Sequence, residues 1–394
     1  MRYDFDKQVD RTEELVDSLK WDIQPGELPM WVADMDFETV PEVQETIQKR
    51  ASHGTFGYAI EPEGWSDAYV KWWKEHHHFQ MQKENLIFAT GAVPAISSMV
   101  RSLTNVAENV LIMTPVYNIF FNSILNNGRK VLESPMVYDG KAYHVDFEDL
   151  EKKMANPQTT LMILCNPHNP IGHIWPEEDL VRIAKLAYEN HVVVISDEVH
   201  CDLVDPDKEY TPFASVSTEA RENSITCLAP SKTFNLAGIQ SAAVYVENPL
   251  LRQRVWRGLN TDEVAEGNAF AYEVAMTAFT YGWDWLTELR AYIYENKQFV
   301  TAFLRENLPE VHLIPEDATY LLWVDISKVS DDGRKLAAYL RKETGLWVTG
   351  GDVYGGDGAK FLRINIATTR KNVADGMRRL KTGIAKYERP DFVG

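Results

Sequence analysis

Ser224-Ile-Thr-Cys-Leu-Ala-Pro-Ser-Lys-Thr-Phe-Asn235 is an apolar β-type run that stops at Pro230 and hands over to a lysine among small and hydroxyl residues. The end of a strand is an unusual place for an ordinary surface charge. A lysine enclosed there loses part of its preference for the charged form, which leaves its amine nucleophilic. Lys232 is therefore the first candidate for chemistry. The plain alternative is a lysine that finishes a turn.

The neighbouring segments repeat the pattern. Val192-Val-Val-Ile-Ser196 is a β-branched strand that ends at Asp197-Glu198-Val199-His200. Thr160-Leu-Met-Ile-Leu-Cys165 is a continuous apolar run followed by Asn166-Pro-His-Asn169-Pro-Ile-Gly172. Between them, residues 176–190 carry Leu180, Ile183, Ala184 and Ala187 on one helical face. Val110–Met113 is a short strand before Tyr117, and Leu86–Ala89 leads into Thr90-Gly-Ala-Val-Pro-Ala95, which opens an apolar helix to about Leu103. Gln240–Val246 reads as one more strand. Continuous apolar strands separated by helices predict an α/β fold, a mostly parallel sheet covered by helices on both faces. Ligands on such sheets sit beyond the carboxyl ends of the strands. Tyr117, Asn169, Asp197 and Lys232 are thus expected to converge. The Gly91 turn at a helix N-terminus offers unpaired N–H groups to an anion, a weak signal alone.

The flanks read differently. Residues 1–40 form an arm or part of a smaller domain, 41–284 the large domain, and 285–394 a smaller α+β domain. Pro41–Arg50 and Trp65–His76 read as helices, with a glycine-spaced aromatic loop, Gly54-Thr-Phe-Gly-Tyr58, between them. Trp283–Glu306 is a long helix, followed by strand 320–326, helix 332–344, strand 361–366 and helix 372–387. Gly350–Gly358 lacks a following helix with glycine spacing, so it is no P-loop, and it is expected to be a mobile loop. Met30–Phe37 places Asp34 and Asp36 among large apolar residues, which suits either core packing or a pocket wall.

Composition excludes several classes. A chain of 394 residues with 45% hydrophobic and 25% charged residues is of ordinary globular type. A net charge of −18 argues against nucleic-acid binding, which needs clustered cations. The three cysteines, Cys165, Cys201 and Cys227, make neither a disulfide framework nor a zinc spacing, so buried free thiols and a reducing compartment are expected. The consecutive His76, His77 and His78 do not share a helical face, and no metal site is expected. No run reaches the roughly 18 apolar residues of a membrane span, and no signal peptide is evident. The expected location is the cytoplasm.

Taken together, Thr90-Gly-Ala, Asn166-Pro-His-Asn-Pro-Ile-Gly172, Asp197-Glu-Val-His200, Ser231-Lys-Thr-Phe-Asn-Leu-Ala-Gly238 and Phe361-Leu-Arg-Ile-Asn365 resemble the fold-type I pyridoxal phosphate (PLP) enzymes. Nearly the whole chain takes part. Trp31-Val-Ala-Asp-Met-Asp-Phe37, Gly57-Tyr58 and Ala229-Pro-Ser-Lys-Thr-Phe-Asn235 make it most similar to the cystathionine β-lyases and C–S lyases of the MalY/PatB type. The resemblance implies a PLP-dependent transferase-like large domain and assigns roles. Lys232 would hold PLP and then shuttle the proton. Asp197 would pair with the pyridine nitrogen, and Tyr117 would stack on the ring. Asn169 would donate to the phenolic oxygen and lie beside the substrate. Gly91, Ala92 and Ser231 would hold the phosphate, with His200 also beside the cofactor. Arg363 would grip the substrate carboxylate, a bidentate task suited to its fork. Tyr58 would reach the phosphate of a neighbouring subunit, which implies a homodimer with shared sites. Two positions depart from many aminotransferases: His200 stands where they have Tyr, and Gln240 where they have a phosphate-binding Arg. The expected activity is β-elimination of a small amino-acid substrate, cystathionine or another S-substituted cysteine. Transamination is the alternative, and a regulatory protein-binding role a further one.

Overall fold

A computed structural model describes residues 2–14, 16–315 and 317–387. The last seven residues of the expected C-terminal domain lie outside the described ones. Seven strands make the central sheet: β1 (Leu86–Ala89), β2 (Asn109–Thr114), β3 (Lys130–Pro135), β4 (Thr159–Cys165), β5 (Val193–Asp197), β6 (Ser224–Leu228) and β7 (Ala242–Tyr245). Their order is β1-β7-β6-β5-β4-β2-β3. β2 through β6 pair in parallel, whereas β7 runs antiparallel to both β1 and β6. β2 and β6 are buried along their whole length, which is why their residues are mostly apolar and do not alternate with charged ones.

Helices cover both faces and bury their stripes there. Residues Ala92–Leu103 and Pro249–Thr261 pack on one side through Ile96, Met99, Val255 and Leu259. Glu177–Glu189 covers the other through Leu180, Ile183 and Ala187. The helix Glu63–His77 buries Trp65, Tyr69, Trp72 and Trp73 against Phe88, Tyr272 and Phe279. Such rings supply large apolar area and prefer the edge-to-face contacts seen here.

A second sheet of four short strands contains Leu321–Asp325 and Phe361–Asn365, paired antiparallel. The helices Gly333–Thr344 and Arg370–Lys386 pack beside it, the first capped by Asp332 and the second by Thr369. The arm joins this half of the molecule, since Leu28–Pro29 pairs with Leu346–Trp347. The helix Trp283–Asn307 is bonded to both parts, Arg290 to the Val204 carbonyl and Asn296 to the Ile366 carbonyl.

The expected mobile loop is a correction. Gly351–Tyr354 and Gly358–Lys360 form two 3-10 turns, with Gly351, Tyr354 and Gly358 buried. Gly355 and Gly356 turn at φ of +75° and +56°, where glycine has no steric cost. The three cysteines are free and buried, as expected. Among the described residues no helix is long and apolar enough to cross a membrane.

Candidate active site

The carboxyl ends of the parallel strands meet in a pocket of about 260 Å³. β1 brings Gly91 and Ala92 to it, β2 brings Tyr117, β4 brings Asn169, β5 brings Asp197 and His200, and β6 brings Ser231 and Lys232. The antiparallel β7 begins at the same edge, so Gln240 and Ser241 complete the wall. Arg363, on the second sheet, enters from above and reaches Asn169 Oδ1 at 3.4 Å. Nine of the ten residues expected at the site therefore converge. Tyr58 does not: it is fully exposed on its own chain.

Local chemistry explains how the Lys232 loop is held. Phe234 is completely buried among Trp72, Phe279 and Trp285. Asn235 turns at φ +57°, a conformation Asn tolerates better than most residues. Its amide accepts from Met35 N at 3.0 Å and donates to the carbonyls of Met35 and Phe37. The Lys232 amine donates to the carbonyl of Ala33 at 2.6 Å. Its enclosure in protein, with Arg363 nearby, pulls its pKa down to about 8.

Asp197 and Glu198 are neighbours with opposite fates. Glu198 receives Ser196 Oγ, Tyr210 Oη and the Phe213 N–H at 2.6–2.9 Å. It is a structural carboxylate. Among the described residues Asp197 accepts only a long 3.4 Å bond from the Val199 N–H, and burial lifts its pKa to about 7. His200 is buried, its Nδ1 has no partner, and burial together with Lys232 and Arg363 pushes it down to about 3, so it is neutral. Burial raises Tyr117 to about 12, keeping it a neutral phenol.

Arg363 is buried and donates to the Trp31 carbonyl at 3.0 Å, while its Nε has no partner. Among the described residues it has no carboxylate partner. The helix Ala92–Leu103 begins without a side-chain cap, so its first N–H groups face the pocket rim. A buried acid short of donors, a lysine with a depressed pKa, an uncapped helix start and a guanidinium with no carboxylate partner among the described residues fit PLP bearing an amino acid.

Sequence reasoning missed Ala33, Ser241 and Tyr320 as site residues. Ala33 acts through its backbone carbonyl, which no side-chain pattern announces. Tyr320 donates to that same carbonyl at 3.0 Å. Met30–Phe37, read as either core or wall, is both: Met35 and Phe37 are buried, while Ala33 lines the pocket. In the histidine run His76 stacks on Trp283, and His77 is bonded to Asp202 at 2.7 Å and lies with Cys201 and Asp202 in one cluster of potential ligand atoms within 4.8 Å of one another.

Comparison with known proteins agrees with this geometry. A family model described as aminotransferase class I and II matches residues 28–380. Cystathionine beta-lyase PatB of Bacillus subtilis is 38% identical over 388 residues, covering 97% of this chain and 100% of its own. Protein MalY of Escherichia coli is 28% identical, covering 97% and 99%. Among solved structures, cystalysin from Treponema denticola, which contains a pyridoxal 5'-phosphate cofactor, superposes with a TM-score of 0.94 at 29% identity, covering 98% of this chain and 100% of its own. The PLP-bound C–S lyase from Staphylococcus hominis gives 0.91 at 29% identity over the same shares.

Proposed function

Because the chain belongs to the aminotransferase class I and II family, we propose that it is a PLP-dependent carbon–sulfur β-lyase acting on cystathionine or related S-substituted L-cysteines. The observation that carries the reading is the company Lys232 keeps. Within one pocket it faces an under-bonded Asp197 and lies near a guanidinium without a carboxylate partner.

Lys232, Asp197, Tyr117, Asn169, Ser231, Gly91, Ala92 and His200 would hold the cofactor, and Arg363 the substrate carboxylate. When bound, PLP supplies an electron sink for the pair left at the substrate Cα. Asp197 would pair with the ring nitrogen and keep a proton there, and that proton is what keeps the sink electron-poor. Arg363 fixes the carboxylate, and Asn169, in contact with Arg363, keeps that guanidinium in register. Enclosure lowers the Lys232 pKa to about 8, close enough to neutral for its amine to exchange a proton readily, and it would take the Cα proton. Loss of that proton and of the Cβ–S bond releases thiolate, which leaves as thiol once protonated. Uptake of one water then gives pyruvate and ammonia. His200, neutral and buried, adds no charge to the site.

Two parts of the proposal concern the whole chain. Of the described residues, those up to 40 and those from 285 to 387 make the smaller domain beside a large domain of 41–284. Two copies form a dimer in which Tyr58, with no cover from its own chain, reaches the partner's phosphate site.

Purified protein incubated with cystathionine tests the reaction. Pyruvate, ammonia and homocysteine are expected without any added keto acid. Pyruvate appearing only when a keto acid is supplied would establish transamination instead.

A further inference from the structure

Residues Trp31–Phe37 cross the site as a strap whose backbone is held by side chains from elsewhere. Trp31 O receives Arg363, and Ala33 O receives both Lys232 and Tyr320. Asn365 reaches the carbonyls of Val32 and Asp34 at 2.5 and 2.7 Å. The two cationic groups of the site thus rest on carbonyls two residues apart. Where the strap lies decides where a free Lys232 amine and the Arg363 fork point.

Two cations of the arm, Arg11 and Lys20, fasten the strap through its own Asp34 and Asp36. Arg11 spans Asp34 Oδ2 at 2.6 Å and Asp36 Oδ1 at 3.0 Å, and also donates to Met35 O at 3.0 Å. Lys20 has a side chain with no exposure and lies 3.1 Å from Asp36 and 3.8 Å from Asp34. The Trp21 indole completes Asp36 at 2.8 Å. Burying ions for stability alone is poor chemistry, because apolar residues of similar volume do as well or better. Ionic contacts fix register in a way that apolar contacts do not. Asp34 also acts electrostatically on Lys232, together with Arg363 and Asp197; Tyr117, Cys165 and His200 line the same pocket, and Tyr320 shares the Ala33 carbonyl with Lys232.

We propose that the clasp of Arg11, Lys20, Asp34 and Asp36 positions the carbonyls of Trp31 and Ala33 against Arg363 and Lys232, making residues of the N-terminal arm positioning residues for the site. The proposal rests on the reading of Lys232 and Arg363 as cofactor and carboxylate groups.

The test uses cofactor-loaded enzyme carrying Arg11→Gln or Asp34→Asn. L-Alanine offers a carboxylate to Arg363 and has no leaving group at Cβ, so its dissociation constant, read from cofactor absorbance, reports seating without elimination. At least a fivefold rise is expected in both variants. The pH midpoint of the resting absorbance is expected to rise in Arg11→Gln, which loses a cation, and to fall in Asp34→Asn, which loses an anion. Arg11→Lys keeps the charge and loses the fork. It should fall between parent and Arg11→Gln, and it serves if the glutamine variant does not fold. A dissociation constant changed less than fivefold in the folded, loaded variants overturns the proposal, even if their melting temperatures drop. Parent enzyme that binds cofactor and alanine but makes no homocysteine from cystathionine refutes the lyase reading alone.

Discussion

Asp197 and Glu198 are adjacent and buried, yet one is wrapped in donors and the other is not. The difference has a thermodynamic sign. Burial lifts Asp197 to about 7 in the folded chain, above its ordinary value. The folded state then keeps a proton that the unfolded chain releases, so this contribution is full below the ordinary value and lost as pH rises through about 7. In cofactor-free protein, Asp197→Asn should remove that slope. The variant is expected to be more stable than the parent at about pH 8, by up to about 4 kcal/mol, and equal to it at about pH 3. Calorimetry across that range checks it; parallel curves would contradict the assignment. The same variant should bind PLP at least tenfold more weakly. Lys232→Ala is expected to abolish borohydride fixation of the cofactor and to lower elimination by roughly 10²–10⁴-fold. Fixation at another lysine would end that role. The sequence already pointed to Asp197 and Lys232 because both follow strand ends. It could not say which of two neighbouring acids would lack donors, since Tyr210 and the Phe213 N–H arrive from a separate segment.

Strands and helices were legible where one face or both are apolar. β4, β5 and β6 were read within a residue or two of their ends. β3 was missed because it is an edge strand, Lys-Val-Leu-Glu-Ser-Pro, with little of it fully buried and no apolar run to betray it. The helix Pro249–Thr261 was missed although Asn248 caps it and Pro249 opens it, a start signal present in the sequence. The turns at Gly351–Lys360 could not be read locally, since their order comes from tertiary contact. A Cβ on Gly351 would strike the Gly358 carbonyl and the Trp323 ring. Gly351→Ala is therefore expected to cost about 1–3 kcal/mol, seen as a lowered melting temperature. An unchanged melting temperature would mean that these turns are loose in solution.

At the scale of the molecule, the exposed loop of Phe56, Tyr58 and Ile60 sets the expectation for assembly. Sedimentation should give a dimer, and a fully active monomer would contradict it. Mixed chains carrying Tyr58→Phe or Lys232→Ala should form heterodimers with one site intact for both residues and one defective in both. The helix Trp283–Asn307 carries another consequence. Its 25 residues make a rod of about 37 Å. Arg290 and Lys297 tie it to Val204 and Asp205 beside the large sheet. Asn296, next to Lys297, ties it to Ile366 and Thr368 beyond the strand that bears Arg363. Moorings to both halves share the same two turns, so no span of free helix separates them to bend. The rod is an axle rather than a spring: to bring Arg363 nearer Lys232, one half must swivel about the Asn296 amide or let it go.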